Sequence, residues 1–158
     1  MHILHFDAHA DLRNDYMGEK LSHATVIRRC AELLTDKSIF QFGIRSMTKE
    51  EDSWAEEHTV QRKYDTGTLP SVIETLGERP VYLTIDLDVL DPSIFPGTGT
   101  PEPGGISFVE LIAAVHKMSK LNIIGGDVNE LAPHYDSSGI STITACKVIR
   151  ELMLTIAH

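Results

Sequence analysis

Short apolar runs alternate along the chain with longer stretches in which apolar residues recur every three or four positions. The runs Ile3 to Phe6, Ser38 to Phe42, Val81 to Ile85 and Asn122 to Gly126 are apolar on both faces, as strands of a helix-covered parallel sheet are. Val60 to Tyr64 gives a weaker strand pattern. Between them lie helical patterns with polar starts. Ser22 heads a stripe of Ile27, Cys30, Ala31 and Leu34, and Thr48 precedes the charged stretch Lys49 to Glu57. Ser71 to Gly77 reads as a short helix closed by glycine, and Ser107 precedes Phe108 to Met118 with Leu111, Ile112 and Val115 on one side. Ser138 or Gly139 opens a last helix carrying the apolar residues Ile149, Leu152, Met153 and Ile156. Strand and helix in turn predict an α/β fold, a three-layer α/β/α sandwich with a mainly parallel sheet. No repeat or linker divides it, so residues 1–158 read as a single unit.

In such sheets ligands gather at the carboxyl ends of the strands. Two acidic clusters fall there. The first strand runs into "HFDAHADLR", where Asp7, His9 and Asp11 alternate with Ala8 and Ala10 and so share one side of an extended chain. This pattern suits a divalent cation that accepts O and N ligands, such as Mn²⁺, and it equally suits a polar turn. The second cluster, "YLTIDLDVLDP", ends a buried strand in Asp86 and Asp88, with Asp91 before Pro92. Paired carboxylates at a buried strand end repel and resist desolvation, and a cation between them removes both costs. Asp91 has a plainer reading as a turn cap. Asp7, His9, Asp11, Asp86 and Asp88 together exceed one tetrahedral zinc and fit a two-metal centre.

Charge supports small cationic ligands. With 14 Lys and Arg against 23 Asp and Glu, the net charge is −9, which disfavours nucleic acid and anionic membrane. No apolar run is long enough to span a bilayer, and no signal peptide is visible. Cys30 and Cys146 are expected as small core residues of a reduced, cytoplasmic protein.

Taken together, "FDAHADLR", "SHAT", "TIDLDVLDPSIFPGTGTPEPGGIS" and "GGDVNELAPHYD" resemble the ureohydrolase family, which includes arginase and agmatinase. The resemblance covers nearly the whole chain, and "PGTGTPEPGG" lies nearer the agmatinase branch. It implies an arginase-like fold and a binuclear manganese hydrolase, with two Mn²⁺ per site, that cleaves a guanidinium group to urea and an amine. For agmatine the amine is putrescine, a step of polyamine biosynthesis. By motif, Asp7 and Asp86 would bridge the metals, with His9, Asp11 and Asp88 completing their shells. His23 of "SHAT", at a predicted helix start that favours its neutral form, matches a family proton relay. Glu130 matches the carboxylate that pairs with the guanidinium, and Thr100 a threonine that hydrogen-bonds it. The family also implies a homo-oligomer, a trimer or hexamer.

The remaining aromatic and imidazole residues read as structural or solvated. His58, His116 and His158 belong with polar helix faces, His134 with a surface turn, and Trp54 with packing. His5 shares a face with Asp7 but sits one pleat back, roughly 6–7 Å away, and is expected not to replace a ligand.

The family's "GGDH" segment, with a further histidine ligand, has no counterpart before the first strand of this sequence. The chain therefore resembles the carboxyl-terminal part of a ureohydrolase whose first strands are missing. It is expected to hydrolyse agmatine poorly by itself. Arginase, guanidinobutyrase and formiminoglutamase activities share the metal motif, so selectivity falls to the loops Arg13 to Leu21 and Arg45 to Glu51. An inactive truncated subunit is the non-catalytic alternative. Metallophosphoesterases share D-x-H, but their Gly-Asn-His companion is not present.

Overall fold

The computed structural model describes residues 1–157, so His158 lies outside the described residues. Five parallel strands form one sheet: β1 (His2–Phe6), β2 (Ile39–Ile44), β3 (Val60–Lys63), β4 (Pro80–Asp86) and β5 (Asn122–Asn129). Their spatial order is β3-β2-β1-β4-β5. From β1 the chain steps outward through β2 to β3, then returns to the other side of β1 for β4 and β5. The direction reverses between β1 and β4, and a crevice opens at such a switch point.

Five helices cover the sheet: α1 (Val26–Leu33), α2 (Lys49–His58), α3 (Leu69–Leu76), α4 (Phe108–Lys117) and α5 (Ile140–Ile156). Strand alternation assigns them to two faces. Ile3 and Ile39 point to one side, where Ile27 of α1 and Ala55 of α2 pack with Leu12 and Ile44. Leu4, Phe6, Phe40 and Phe42 point to the other, against Leu69 and Leu76 of α3, Leu111 and Val115 of α4, and Val148 of α5. Two dry interfaces of this kind supply most of the stability of a three-layer fold. Trp54 anchors α2 as expected, with the Arg28 guanidinium 4.2 Å above its ring and the His58 ring 4.1 Å away.

Capping follows the sequence where serine and threonine lead a helix. Thr48 and Ser107 each accept the backbone N–H three residues on, while Glu51 and Glu110 reach back to complete capping boxes. Three expectations change. Ser22 caps only a 3₁₀ turn, His23–Thr25, and α1 proper starts at Val26. The α3 helix starts at Leu69, because Pro70 is tolerated in a first turn. Cys146 is exposed and Cys30 half-buried, so neither is a core residue, although both are free thiols. On α5, of Ile149, Leu152, Met153 and Ile156, only Leu152 is buried. The inward face is instead Ser141, Thr144, Ala145, Val148 and Thr155, small residues that let the helix pack close. Ile149, Met153 and Ile156 border a groove beside Gly126 and Val128 of β5, which has no neighbouring strand on its far side among the described residues.

Candidate metal centre and guanidinium cleft

Past the end of β1 the chain stays extended because its neighbour holds it. Asp7 N–H donates to the Phe42 carbonyl, Ala10 N–H to that of Ser46, and the Arg45 and Ser46 N–H groups to Ala8. Alternation therefore persists: Ala8, Ala10 and Leu12 are fully buried, while His9 and Asp11 stand at the cleft. Gly43 makes this approach possible. Its φ is +85°, and a Cβ there would lie 2.5 Å from Val89 Cγ2 and 3.2 Å from the Asp7 carbonyl.

The β1–β4 register brings the second cluster alongside, since Phe6 pairs with Ile85. Asp86 Oδ1 accepts the Asp88 N–H at 2.9 Å and starts a 3₁₀ turn. Asp88 Oδ1 accepts the Ala8 N–H at 3.1 Å, joining the two strand ends directly. The turn is also held from β2. Arg45 donates to the carbonyls of Asp88 at 2.8 Å and Glu102 at 2.7 Å. Asp91 takes the plainer of its two readings. It accepts N–H groups of Ser93 at 3.0 Å and Gly104 at 2.9 Å, which tie the loop 91–105 together.

A cleft of about 300 Å³ results. Asp7, His9, Asp11, Asp86, Asp88, His23, Thr100 and Glu130 all line it, so the residues given metal or substrate roles from sequence lie in one place, while Asp91 does not. Asp7, His9 and Asp88 present ligand atoms within 4.8 Å of one another; so do His5, Asp7 and Asp11. Asp7 belongs to both sets. His5 is the residue that sequence reasoning set aside. Its ring reaches along the strand to put Nε2 2.8 Å from Asp7 Oδ2, which a Cα spacing of one pleat does not reveal. The signal was present in the unbroken alternation His5, Asp7, His9, Asp11.

The remaining site residues form the rim. His23 is exposed and meets the Tyr16 ring edge-on at 5.1 Å. Glu130 follows β5 with φ of 66°, and its carboxylate passes over Gly99, next to Thr100. Asp11 also has positive φ, 55°. Such backbone costs an L-residue roughly 1–2 kcal/mol and tends to gather at functional sites. Arg13, Tyr16, Ser46, Met47, Thr48 and Glu51 complete the wall, all from the two loops expected to set selectivity. His134 is not part of it.

Without a cation these groups are in conflict. Burial, then the charges of Asp7 and Asp88, push the Asp86 carboxyl up to about 10. Burial and the charge of Asp7 lift Asp11 to about 7. Contact with Asp7 and Asp88 raises His9 to about 10. Burial pushes Asp7 up, but its contacts with His5 and His9 outweigh this and hold Asp7 well below the usual carboxylate range. Asp88 Oδ2 is buried and receives no hydrogen bond. His9 Nδ1 lies 3.0 Å from it, close enough for a charge contact but not aligned to donate. A buried carboxylate oxygen without a donor, among acids that must otherwise hold protons, is the environment a divalent cation satisfies. The residues present thus fit a metal centre.

Known proteins resemble this chain over almost its whole length. The arginase family model matches residues 1–155. The agmatinase of Bacillus subtilis (strain 168) is 51% identical over 156 residues, 96% of this chain and 54% of its own length. The guanidinobutyrase of Pseudomonas aeruginosa is 34% identical, over 96% of this chain and 51% of its own. A crystal structure of an agmatinase-like protein from Clostridium difficile superposes with a TM-score of 0.96 at 50% identity, covering 98% of this chain and 58% of that one. The chain spans about half the length of the curated relatives it matches. With acidic strand ends at the sheet's switch point and a match over almost every residue, the chain belongs to the arginase family, with agmatinases among its similar relatives.

Proposed function

We propose that residues 1–158 form one partial domain carrying the catalytic centre of a manganese-dependent ureohydrolase, with agmatine as substrate and urea and putrescine as products. The observation that carries this reading is the convergence of Asp7, His9, Asp11, Asp86 and Asp88 on one cleft. Asp7, His9, Asp11, Asp86 and Asp88 would hold two Mn²⁺ ions between the two strand ends. When bound, such a pair lowers the pKa of water and so supplies hydroxide near neutral pH.

The other residues act on the substrate. Glu130 accepts the planar guanidinium through two parallel N–H···O bonds, and Thr100 adds a third contact beside it. His23, at the rim, passes a proton to the amine as the C–N bond breaks. No helix among the described residues is long and apolar enough to cross a membrane. The free edge of β5 supports assembly into an oligomer, a trimer or hexamer by family analogy.

A second reading has its own support. Because the relatives are about twice as long, the chain by itself could be an inactive subunit that retains the centre. Elemental analysis combined with urea release separates the two. Bound manganese with slow urea release, fastest on agmatine among agmatine, arginine and guanidinobutyrate, supports the proposal. Bound manganese with no urea from any of them supports the inactive subunit. No manganese and no urea contradicts both.

A further inference from the structure

His5 offers two ring nitrogens, and the position of its proton decides whether it can bind a metal or must donate. Neighbouring amides fix that position. Gln41 Nε2 lies 2.9 Å from the Ala10 carbonyl oxygen, which can only accept, so the amide nitrogen belongs there. Gln61 Nε2 lies 2.9 Å from Gln41 Oε1 and donates to it. The second N–H of Gln41 then meets His5 Nδ1 at 3.0 Å, and that nitrogen must accept. A neutral imidazole that accepts at Nδ1 carries its proton on Nε2, 2.8 Å from Asp7 Oδ2. Gln41 is wholly buried and His5 2% exposed, so water does not compete for these groups. Asp7 Oδ1 meanwhile accepts the His9 backbone N–H at 2.5 Å. Both oxygens of one carboxylate are thereby held in fixed orientation.

We infer that Gln41, braced by Ala10 and Gln61, locks His5 as an Nε2–H donor, making His5 a positioning residue for Asp7 and excluding it as a metal ligand. His5 stands within ligand reach of Asp7 and Asp11, so the lock decides between two roles that its location alone allows. A ligand nitrogen must present a lone pair, and Nε2 can do so only if the proton moves to Nδ1, against the Gln41 N–H. The inference rests on the reading of Asp7 as a metal ligand. Its benefit there is preorganisation: a carboxylate already held on both oxygens loses little rotational freedom when a cation arrives.

The test uses the ¹⁵N-labelled, metal-free chain. Long-range ¹H–¹⁵N correlation of the imidazole rings reports the tautomer, and titration with Mn²⁺ gives affinity. Wild type should show His5 as the Nε2–H tautomer. Gln41→Glu places an acceptor at Nδ1 and should move the proton there. Gln41→Met removes the lock and should weaken Mn²⁺ binding about 10–100-fold, the usual effect of losing an outer-shell partner. Wild-type His5 with its proton on Nδ1, or a folded Gln41→Met chain with unchanged Mn²⁺ affinity, overturns the inference. If Gln41→Met fails to fold, the wild-type tautomer decides: Nε2–H supports the lock and Nδ1–H refutes it. A wild-type chain that binds no Mn²⁺ at all instead removes the metal reading, and with it the role given to Asp7, whatever the tautomer.

Discussion

Asp86 shows how a single residue can oppose folding and serve the site. In the metal-free chain its carboxyl keeps its proton to about pH 10, whereas in an unfolded chain an aspartate ionises near pH ~3.9. A folded-state pKa above the unfolded one destabilises the fold at every pH above the lower value. The penalty is absent below about pH 4 and grows up to about pH 10. Asp86→Asn should therefore raise the metal-free Tm at pH 7.5 by at least about 3 °C, the effect of ~1 kcal/mol in a domain of this size, and leave it unchanged at pH 4. The same variant should lose the Tm increase that Mn²⁺ gives wild type. Differential scanning calorimetry at both pH values, with and without Mn²⁺, measures all of this. Gly43→Ala should go the other way and lose about 2–4 kcal/mol in urea unfolding, since both its φ of +85° and the 2.5 Å approach to Val89 oppose a methyl group. At this scale the acidic residues were legible because their types and spacing carry chemistry. His5 was not: a side chain's reach along a strand depends on its rotamer, and here Gln41, 36 positions away, holds that rotamer.

Among the elements, the loop 91–105 has the least regular structure for its importance, because it delivers Thr100 to the cleft. Asp91 organises it. Hydrogen bonds from Ser93 and then from Gly104 hold its carboxyl down at about 2. A depressed carboxylate stabilises above its unfolded pKa and loses that contribution as the pH falls through the folded one. Asp91→Ala should therefore cost about 1 kcal/mol at pH 6, with the difference from wild type shrinking between pH 4 and pH 2; urea unfolding at pH 6 and pH 3 checks it. Strands β1, β2 and β4 could be read from their apolar runs within a residue or two, since apolar residues outnumber the polar His5, Gln41 and Thr84 within them. The inward face of α5 could not. Its exposed side carries Ile143, Met153 and Leu154 while its buried side carries Ser141 and Thr144, so hydrophobicity alone pointed the wrong way.

For the molecule as a whole, the strand order places both acidic clusters and Glu130 at the carboxyl ends of three adjacent strands, β1, β4 and β5. No single motif contains that information, because it depends on which side of β1 the later strands join. The same sheet is incompletely covered. Among the described residues the backbone of β5 is unpaired on one side, Ile124 is exposed, and an apolar cavity of about 450 Å³ opens around Ile3, Cys30, Tyr82 and Asp127. An uncovered edge with apolar surroundings favours association. Sedimentation velocity at tens of micromolar should accordingly give species heavier than the 17.5 kDa chain.

On the proposed reading, the carboxylates at the two strand ends tolerate one another because divalent cations bind among them. Calorimetric titration of the metal-free chain with Mn²⁺ at pH 7, in two buffers of different ionisation enthalpy, tests this most directly. The account predicts saturable binding that releases protons, since Asp86 and His9 hold theirs to about 10, and loss of that binding in Asp7→Asn and Asp88→Asn. A folded chain that takes up no Mn²⁺, or one whose uptake survives both substitutions, would contradict it.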